Sequence, residues 1–479
     1  MKKMNKIYEN YFYNMLYQVF ILFIPIVTAP YLARTLGATE LGIYSYVYSF
    51  TSILSSFSLL GIYSYGNRKT AYVRDNMVEL NKMFWELMLI RVGLGGIGTI
   101  IFLIVASSSE YTLYFLLYYG WLLASFLDVS WLFIGLENMK PVVLKNFFAK
   151  LISVIGIFIF VNSEEDLWIY FLLMGVTTLV ANLSVYGQLK SIIFKPTINK
   201  NNLNGHFIGS IQLFLPQIAS LLYLQIDKIM INFFTSTTNQ VAFYDQAEKV
   251  ILIPMTLITV LSTVMMPRIA NDYAKGNIET VNRYVLKAGE ISLFLAIPMA
   301  VGIAGIANNF IPWYLGNEFI PTIYAIIILS PLIISNSLIG VFGNQYFTGT
   351  NQIGIIVKAY GTAAILNIIL NGFLIPYLGF LGAAISTIIS SLASLLILFY
   401  YISKQISMGP LLRTGLKYFM LSLPLAMSVF GIGFLLPASI YSTFIQISVG
   451  VLIYGLFLLL IKDQTLQMLF SRVKMTRKK

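Results

Sequence analysis

Asp227 and Lys228 stand side by side in a stretch that is otherwise apolar, and Glu248 and Lys249 repeat the arrangement one stretch later. Ionisable groups in such surroundings are costly, so they mark either internal pairs or a cavity that handles anions or protons. The residues alone leave both readings open. Tyr244 precedes Glu248 by one helical turn, as Asp245 precedes Lys249. Arg34 closes the first apolar stretch, where it either snorkels to a polar interface or serves as an outward gate contact. Tyr44, Tyr48 and Tyr244 carry rings on which the apolar face of a sugar can stack while its rim hydrogen-bonds. Glu86, Arg91 and Asp128 share a depth in the third and fourth apolar stretches and are expected to form a buried ion-pair network.

Other chemistry is excluded by type. The chain has no cysteine, so disulfides and thiolate metal sites are ruled out. Its single histidine, His206, lies in a polar connector beside Asn204 and Gly205 and reads as a solvated loop residue. No metal centre is expected, and no cofactor. No phosphate-cradling loop or nucleophile-elbow motif is present, and no paired carboxylates occupy a long outer loop. The reading is therefore not an enzyme.

The elements that hold these residues follow from composition. The 479 residues are 58% hydrophobic and 10% charged, with a mean hydropathy of +0.80. A soluble core cannot hide that much apolar surface, whereas a bilayer-spanning helix uses roughly 20 apolar residues. The expected fold is an all-α polytopic membrane protein of about 14 helices. Candidate spans fall near residues 11–33, 41–63, 83–106, 111–135, 142–162, 167–189, 207–234, 244–267, 284–309, 320–346, 354–376, 379–403, 414–436 and 441–461. The first resembles a signal peptide only superficially, being longer than a signal core and lacking a small-x-small cleavage site.

The net charge of +12 is a topology signal rather than a nucleic-acid footprint. Of 31 basic residues, all but Arg34 and the intraspan Arg91, Lys150, Lys228 and Lys249 fall in one alternating set of ends and gaps. The opposite gaps at 107–110, 162–166 and 308–319 hold none. Such a bias places both termini in the cytoplasm and draws anionic lipid headgroups to that face.

The hydrophilic connector at 195–206 divides the chain. We read residues 1–197 as a first six-helix lobe, 198–404 as a second, and 405–479 as an appended helix pair with a basic tail. A faint internal repeat links the lobes. Tyr44 and Arg68 are separated as Tyr244 and Arg268 are, and the exit Phe133, Gly135, Glu137 matches Phe347, Gly349, Asn351. Blocks with an even number of spans enter the membrane from one side, the parallel-repeat arrangement of rocking transporters. Polar stripes run along several spans: Asn14, Gln18, Pro25 and Thr28; Tyr44, Tyr48, Thr51, Ser55 and Ser58; Gln217, Ser220 and Asp227. Helix–helix hydrogen bonding explains scattered hydroxyls, and a shared aqueous cavity better explains the long stripes.

At the level of motifs, the run PYLARTLG over residues 30–37, with Gly42 and Tyr44 after it, resembles the opening of Wzx-type polysaccharide repeat-unit flippases of the polysaccharide transporter family. The segment WLFIGLENM over 131–139, the pair Asp227 and Lys228, YDQAEK over 244–249 and MPR over 266–268 are similar to further patterns of that family. The resemblance implies the fold of multidrug and toxic-compound extruders, with two six-helix lobes and two added helices. It implies an oligosaccharide on an undecaprenyl pyrophosphate carrier, turned from inner to outer leaflet for capsule, O-antigen or another surface polysaccharide. Partners implied are the lipid-linked oligosaccharide, membrane lipids and a polymerase with its chain-length machinery, in a bacterial plasma membrane. A drug or cation extruder, a lipid II flippase and a membrane-embedded polymerase are the competing readings.

Overall fold

The computed structural model describes residues 2–190, 192–194, 196–263 and 265–468. Within helices it does not describe the side chains of 2–19, 22, 200, 215–217, 219, 220, 222–224 and 259–263. Asn14, Gln18, Gln217 and Ser220 of the expected stripes therefore lie outside the described residues, as does the basic tail from Arg472.

Every regular element among the described residues is helical. The chain forms two compact units, Met1–Ile229 and Met230–Lys479. The first begins with α1 (Lys2–Leu59), which is two helices joined at Gly37. There φ is 76° and ψ 179°, a region open to glycine alone, and this separates the first two expected spans. The unit continues with α2 (Ile62–Val73), α3 (Met77–Ser108), α4 (Thr112–Leu127), α5 (Ser130–Gly135), α6 (Lys140–Phe160), α7 (Leu167–Ser184), α8 (Tyr186–Leu189) and most of α9 (Lys200–Thr235). Asn76 starts α3 by accepting hydrogen bonds from the Val78 and Glu79 amides, satisfying two donors that a helix start leaves open. Its core gathers Phe84, Leu87, Trp131 and Phe133.

The second unit contains α10 (Thr238–Thr263), α11 (Met266–Ala274), α12 (Ile278–Tyr314), α13 (Thr322–Leu329) and α14 (Leu332–Ile339), with a π-helical continuation over Gly340–Phe347. It ends with α15 (Ile353–Leu378), α16 (Phe380–Ser403), α17 (Gly409–Leu435) and α18 (Ile440–Leu460). Ile297, Phe342, Phe347, Leu398 and Tyr418 form its core.

Among the described residues, nine helices are long and apolar enough to cross a bilayer, or eleven if each of two bent pairs is one span. The bent pairs join Phe23–Leu59 of α1 to α2, and α13 to Leu332–Phe347, each with a bend of 41°. The expectation of fourteen exceeds this number. Residues 11–19 have no described side chains, and α9 and α10, with their five charges from Asp227 to Lys249, are not among the eleven. Outward faces are apolar: Leu89, Val92, Ile97 and Ile100 of α3 are all exposed, which suits hydrocarbon rather than water.

Candidate functional site

Glu86, Arg91 and Asp128 share no hydrogen bond or close ion pair among the described residues, so the expected three-membered network is divided. Glu86 pairs with His206 and Asp128 with Lys145, while Arg91 acts on Asp128 through its charge alone. In the first unit Glu86 is 1% exposed. It accepts from the ring Nε2 of His206 at 2.8 Å and from the Asn199 amide at 2.9 Å. His206 Nδ1 sits 2.9 Å from the Tyr65 hydroxyl, so the ring bridges the carboxylate and the tyrosine. The expectation of a solvated histidine fails, because α9 begins at Lys200 and carries His206 to 6% exposure against α2 and α3. A Cβ on Gly61 would lie 2.8 Å from the Ser210 carbonyl and 2.9 Å from the Phe214 amide, so the α2 start needs glycine for contact as well as for its φ of 71°.

Asp128 lies in the break between α4 and α5, where its backbone is extended. Its carboxylate accepts from Lys145 Nζ at 2.6 Å and from the Ser130 amide at 3.1 Å. Lys145 donates onward to Asn182 Oδ1 at 2.6 Å, and the Asn182 amide donates to the Ala124 carbonyl at 2.7 Å. Arg91 is 1% exposed and donates to the Ser125 carbonyl, while its Nε and one terminal nitrogen find no partner among the described residues. Lys145 and Asn182 were not candidates from sequence. The charge count places Lys145 among the ends and gaps of the basic-rich face, and an asparagine inside a span carries no charge to flag it.

Tyr44 and Tyr48 are brought together, ring centroids 6.2 Å apart. Tyr44 is nonetheless buried among Tyr118, Tyr170 and Phe171, with the nearest ring at 4.4 Å. Its face is therefore taken up by protein rings in this conformation, and only Tyr48 of the pair is partly exposed. The stripe that includes them serves packing: Thr51 and Ser58 donate to carbonyls one turn back, and Ser55 donates to Ser125 of α4 at 2.8 Å. Arg34 is exposed, while Asp227 and Lys228 are 1% and 4% exposed on α9.

In the second unit the one-turn spacing of Asp245 and Lys249 gives an ion pair at 2.6 Å. Lys249 remains 43% exposed in that pair, so its charge can face a ligand while held in place. Glu248 is half-buried on the same helix. Tyr244 is buried, and its hydroxyl lies 2.9 Å from that of Thr387 on α16. Around Thr387, Asn367 and Asn371 of α15 hydrogen-bond to each other at 3.2 Å. Sequence reasoning missed this uncharged polar cluster. Separately, α12, α17 and α18 enclose an apolar groove of about 470 Å³, lined by residues such as Phe294, Pro298, Val429, Val451 and Tyr454.

A family model described as polysaccharide biosynthesis protein matches residues 7–271. One described as lipid II flippase MurJ matches residues 143–455. A putative O-antigen transporter of Escherichia coli is 23% identical over 385 residues, which is 78% of this chain and 92% of the relative. A probable low-salt glycan biosynthesis flippase of Haloferax volcanii is 27% identical over 266 residues. That match spans 55% of each protein, so the chain covers about half the length of this relative. Among solved structures, a lipid II flippase MurJ in an inward closed conformation aligns with a TM-score of 0.74 at 18% identity, covering 94% of this chain and 98% of that one. An inward-facing multidrug resistance MATE family transporter aligns with a TM-score of 0.65 at 15% identity, covering 82% and 95%. At these identities the likeness is one of fold.

Proposed function

Because this chain belongs to the family of polysaccharide biosynthesis proteins, we propose that it turns an oligosaccharide on an undecaprenyl pyrophosphate carrier from the inner to the outer leaflet. At the coarser level the chain is a multi-span membrane transporter of flippase type. The finer reading places it in a bacterial plasma membrane with both termini cytoplasmic, supplying surface polysaccharide such as O-antigen or capsule, and moving its cargo by alternating access.

The observation that carries this reading is a buried cation in a chain of this family. Lys228 is 4% exposed within α9 beside Asp227, and a buried ammonium is retained either in an internal pair or where an anion passes. A diphosphate leaving water needs such charge-assisted donors more than its sugars do. Lys249, held by Asp245 yet 43% exposed, is the second candidate donor. The further proposed substrate contacts are Arg34, Tyr48 and Asp227 in the first unit and Glu248 in the second; Tyr44 and Tyr244 would contribute only in a conformation that frees their rings. The apolar groove on α12, α17 and α18 offers lining of the right chemistry for a prenyl chain.

Lipid II transport is the second reading, favoured by the MurJ family match over residues 143–455. Proteoliposomes holding the full chain decide between them. A fluorescent undecaprenyl-pyrophosphate oligosaccharide and lipid II are supplied in parallel, and leaflet exchange is read by quencher access. The oligosaccharide carrier is expected to exchange faster, and Lys228→Ala and Lys249→Ala are expected to slow it without loss of folded protein. Exchange of lipid II alone would reject the first reading. Restored exchange on also neutralising Asp227 or Asp245 would mean that these lysines serve internal pairs instead.

A further inference from the structure

Two ammonium groups in the second unit converge on one tyrosine pair with no carboxylate between them. Lys358 of α15 places Nζ 5.9 Å from the centre of the Tyr401 ring. Lys404, one residue past the end of α16, places Nζ 6.0 Å from the same ring and 4.1 Å from that of Tyr400. Neither lysine has an ion-pair partner among the described residues, whereas Lys145, Lys249, Lys287 and Lys417 each hold a carboxylate. Both ammonium groups are exposed, so their charge is open to an anion that reaches the tyrosine pair.

The surface beside them is shaped for an amphiphile. A recess of about 490 Å³ is lined by Lys358, Thr362, Leu396, Ile397, Tyr400 and Tyr401. From it an exposed apolar strip continues along both helices, through Ile365 and Ile369 of α15 and Leu392 and Leu396 of α16. Lys358 lies in the second turn of α15 and Lys404 follows the last of α16, so the cations sit at one end of the strip. That end belongs to the set of gaps whose basic excess marks the cytoplasmic face. Tyrosines at a helix end favour the headgroup level, and their hydroxyls can donate to a phosphate oxygen.

We propose that this recess binds an anionic phospholipid, with the headgroup phosphate at Lys358, Lys404 adding its charge from the Tyr400 ring at the recess edge, and an acyl chain along the strip. Basic pockets between spanning helices on the cytoplasmic side recognise anionic headgroups in this way. The inference needs only that α15 and α16 cross the membrane, and it stands apart from the cargo.

The test is native mass spectrometry of the delipidated full chain, titrated with phosphatidylglycerol and with phosphatidylcholine of the same acyl chains. Phosphatidylglycerol is expected to bind more tightly. A lysine near an anionic lipid surface contributes roughly fivefold in affinity, so Lys358→Gln with Lys404→Gln is expected to weaken binding roughly 25-fold. Both side chains are exposed, so an unchanged melting curve separates lost binding from lost fold. Lys287→Gln, which removes a lysine already paired with Glu290 at 2.9 Å, is expected to leave binding unchanged. Equal affinity for the two lipids, or an unaltered titration in the double variant, would overturn the site. Displacement of the lipid by inorganic phosphate alone would reassign it to a soluble anion.

Discussion

Glu137 and Asn351 hold the same left-handed backbone, with φ of 55° and 59°. In each case the preceding helix ends in the same pair of bonds. The Asn138 amide reaches the Phe133 carbonyl and the Glu137 amide that of Ile134; Gln352 reaches Phe347 and Asn351 reaches Thr348. This is a Schellman cap built twice. Two residues before each lies a glycine pressed on the equivalent neighbour: Gly135 against Thr70, Gly349 against Ile269 and Ala270. The faint sequence repeat is thus a repeat of backbone geometry within each unit.

The two glycines differ in how tightly they are held. A Cβ on Gly135 would meet Thr70 Cβ at 2.5 Å and the Asn67 carbonyl at 2.8 Å, and one of these is rigid backbone. On Gly349 it would meet Ile269 Cγ2 at 3.0 Å and nothing else closer than 3.6 Å. Overpacking costs about 1–3 kcal/mol, so Gly135→Ala is expected at the upper end and Gly349→Ala at the lower. Thermal unfolding of both variants in one detergent gives the order. A larger loss in Gly349→Ala would contradict the packing described.

Tyr244 was read from sequence as a ring for sugars, but its hydroxyl is engaged with Thr387. A hydrogen bond between membrane helices contributes roughly 0.5–1.5 kcal/mol. Tyr244→Phe is therefore expected to lower stability by that amount in the same melt, and to leave the ring in place. A stability unchanged from the parent would mean that the hydroxyl bond contributes nothing to the fold.

What was legible in the chain, and what was not, follows from which property sequence reports. Apolar runs announce helices because lipid tolerates no unpaired backbone, and the i, i+4 spacing of Asp245 and Lys249 delivers a pair directly. Partners distant in sequence were hidden. Nothing near His206 signals that Glu86, 120 positions earlier, waits for it. Polar residues at 195–206 look like a linker because composition weighs side chains singly, yet Asn199, Asn202 and His206 each hydrogen-bond to the Glu86 carboxylate. Tyr44 reads as available because its neighbours Tyr118 and Tyr170 lie on other helices.

The Glu86 and His206 pair yields a further prediction. Removing the donor to a buried charged group leaves that group short of a hydrogen bond, at about 1–3 kcal/mol or more. His206→Ala leaves a carboxylate that is 1% exposed with two asparagine donors, Asn199 and Asn202. Glu86→Gln leaves a neutral amide that still accepts from the ring. His206→Ala is expected to be the more destabilising by denaturant unfolding, and hydrogen exchange in the first turns of α9 should rise with it. Equal losses would show that the carboxylate charge plays no part.

Asp128 has a second cation at hand beyond the one it bonds. Lys145 donates to it directly at 2.6 Å. Arg91 lies within electrostatic reach of the same carboxylate, with Nε and a terminal nitrogen unpartnered. Lys145→Met alone removes the bonded partner and leaves the Arg91 charge acting on Asp128. Its cost is therefore expected to fall below the full 3–5 kcal/mol of a stranded buried charge. With Arg91→Met added, no cation remains within that cluster, and the double variant is expected to lose more than the two single losses combined. Coupling between residues sharing one partner runs to about 0.5–3 kcal/mol. The four proteins of the cycle are compared by unfolding in the same detergent. Losses that simply add would show that Arg91 answers to the Ser125 carbonyl alone and gives Asp128 no support.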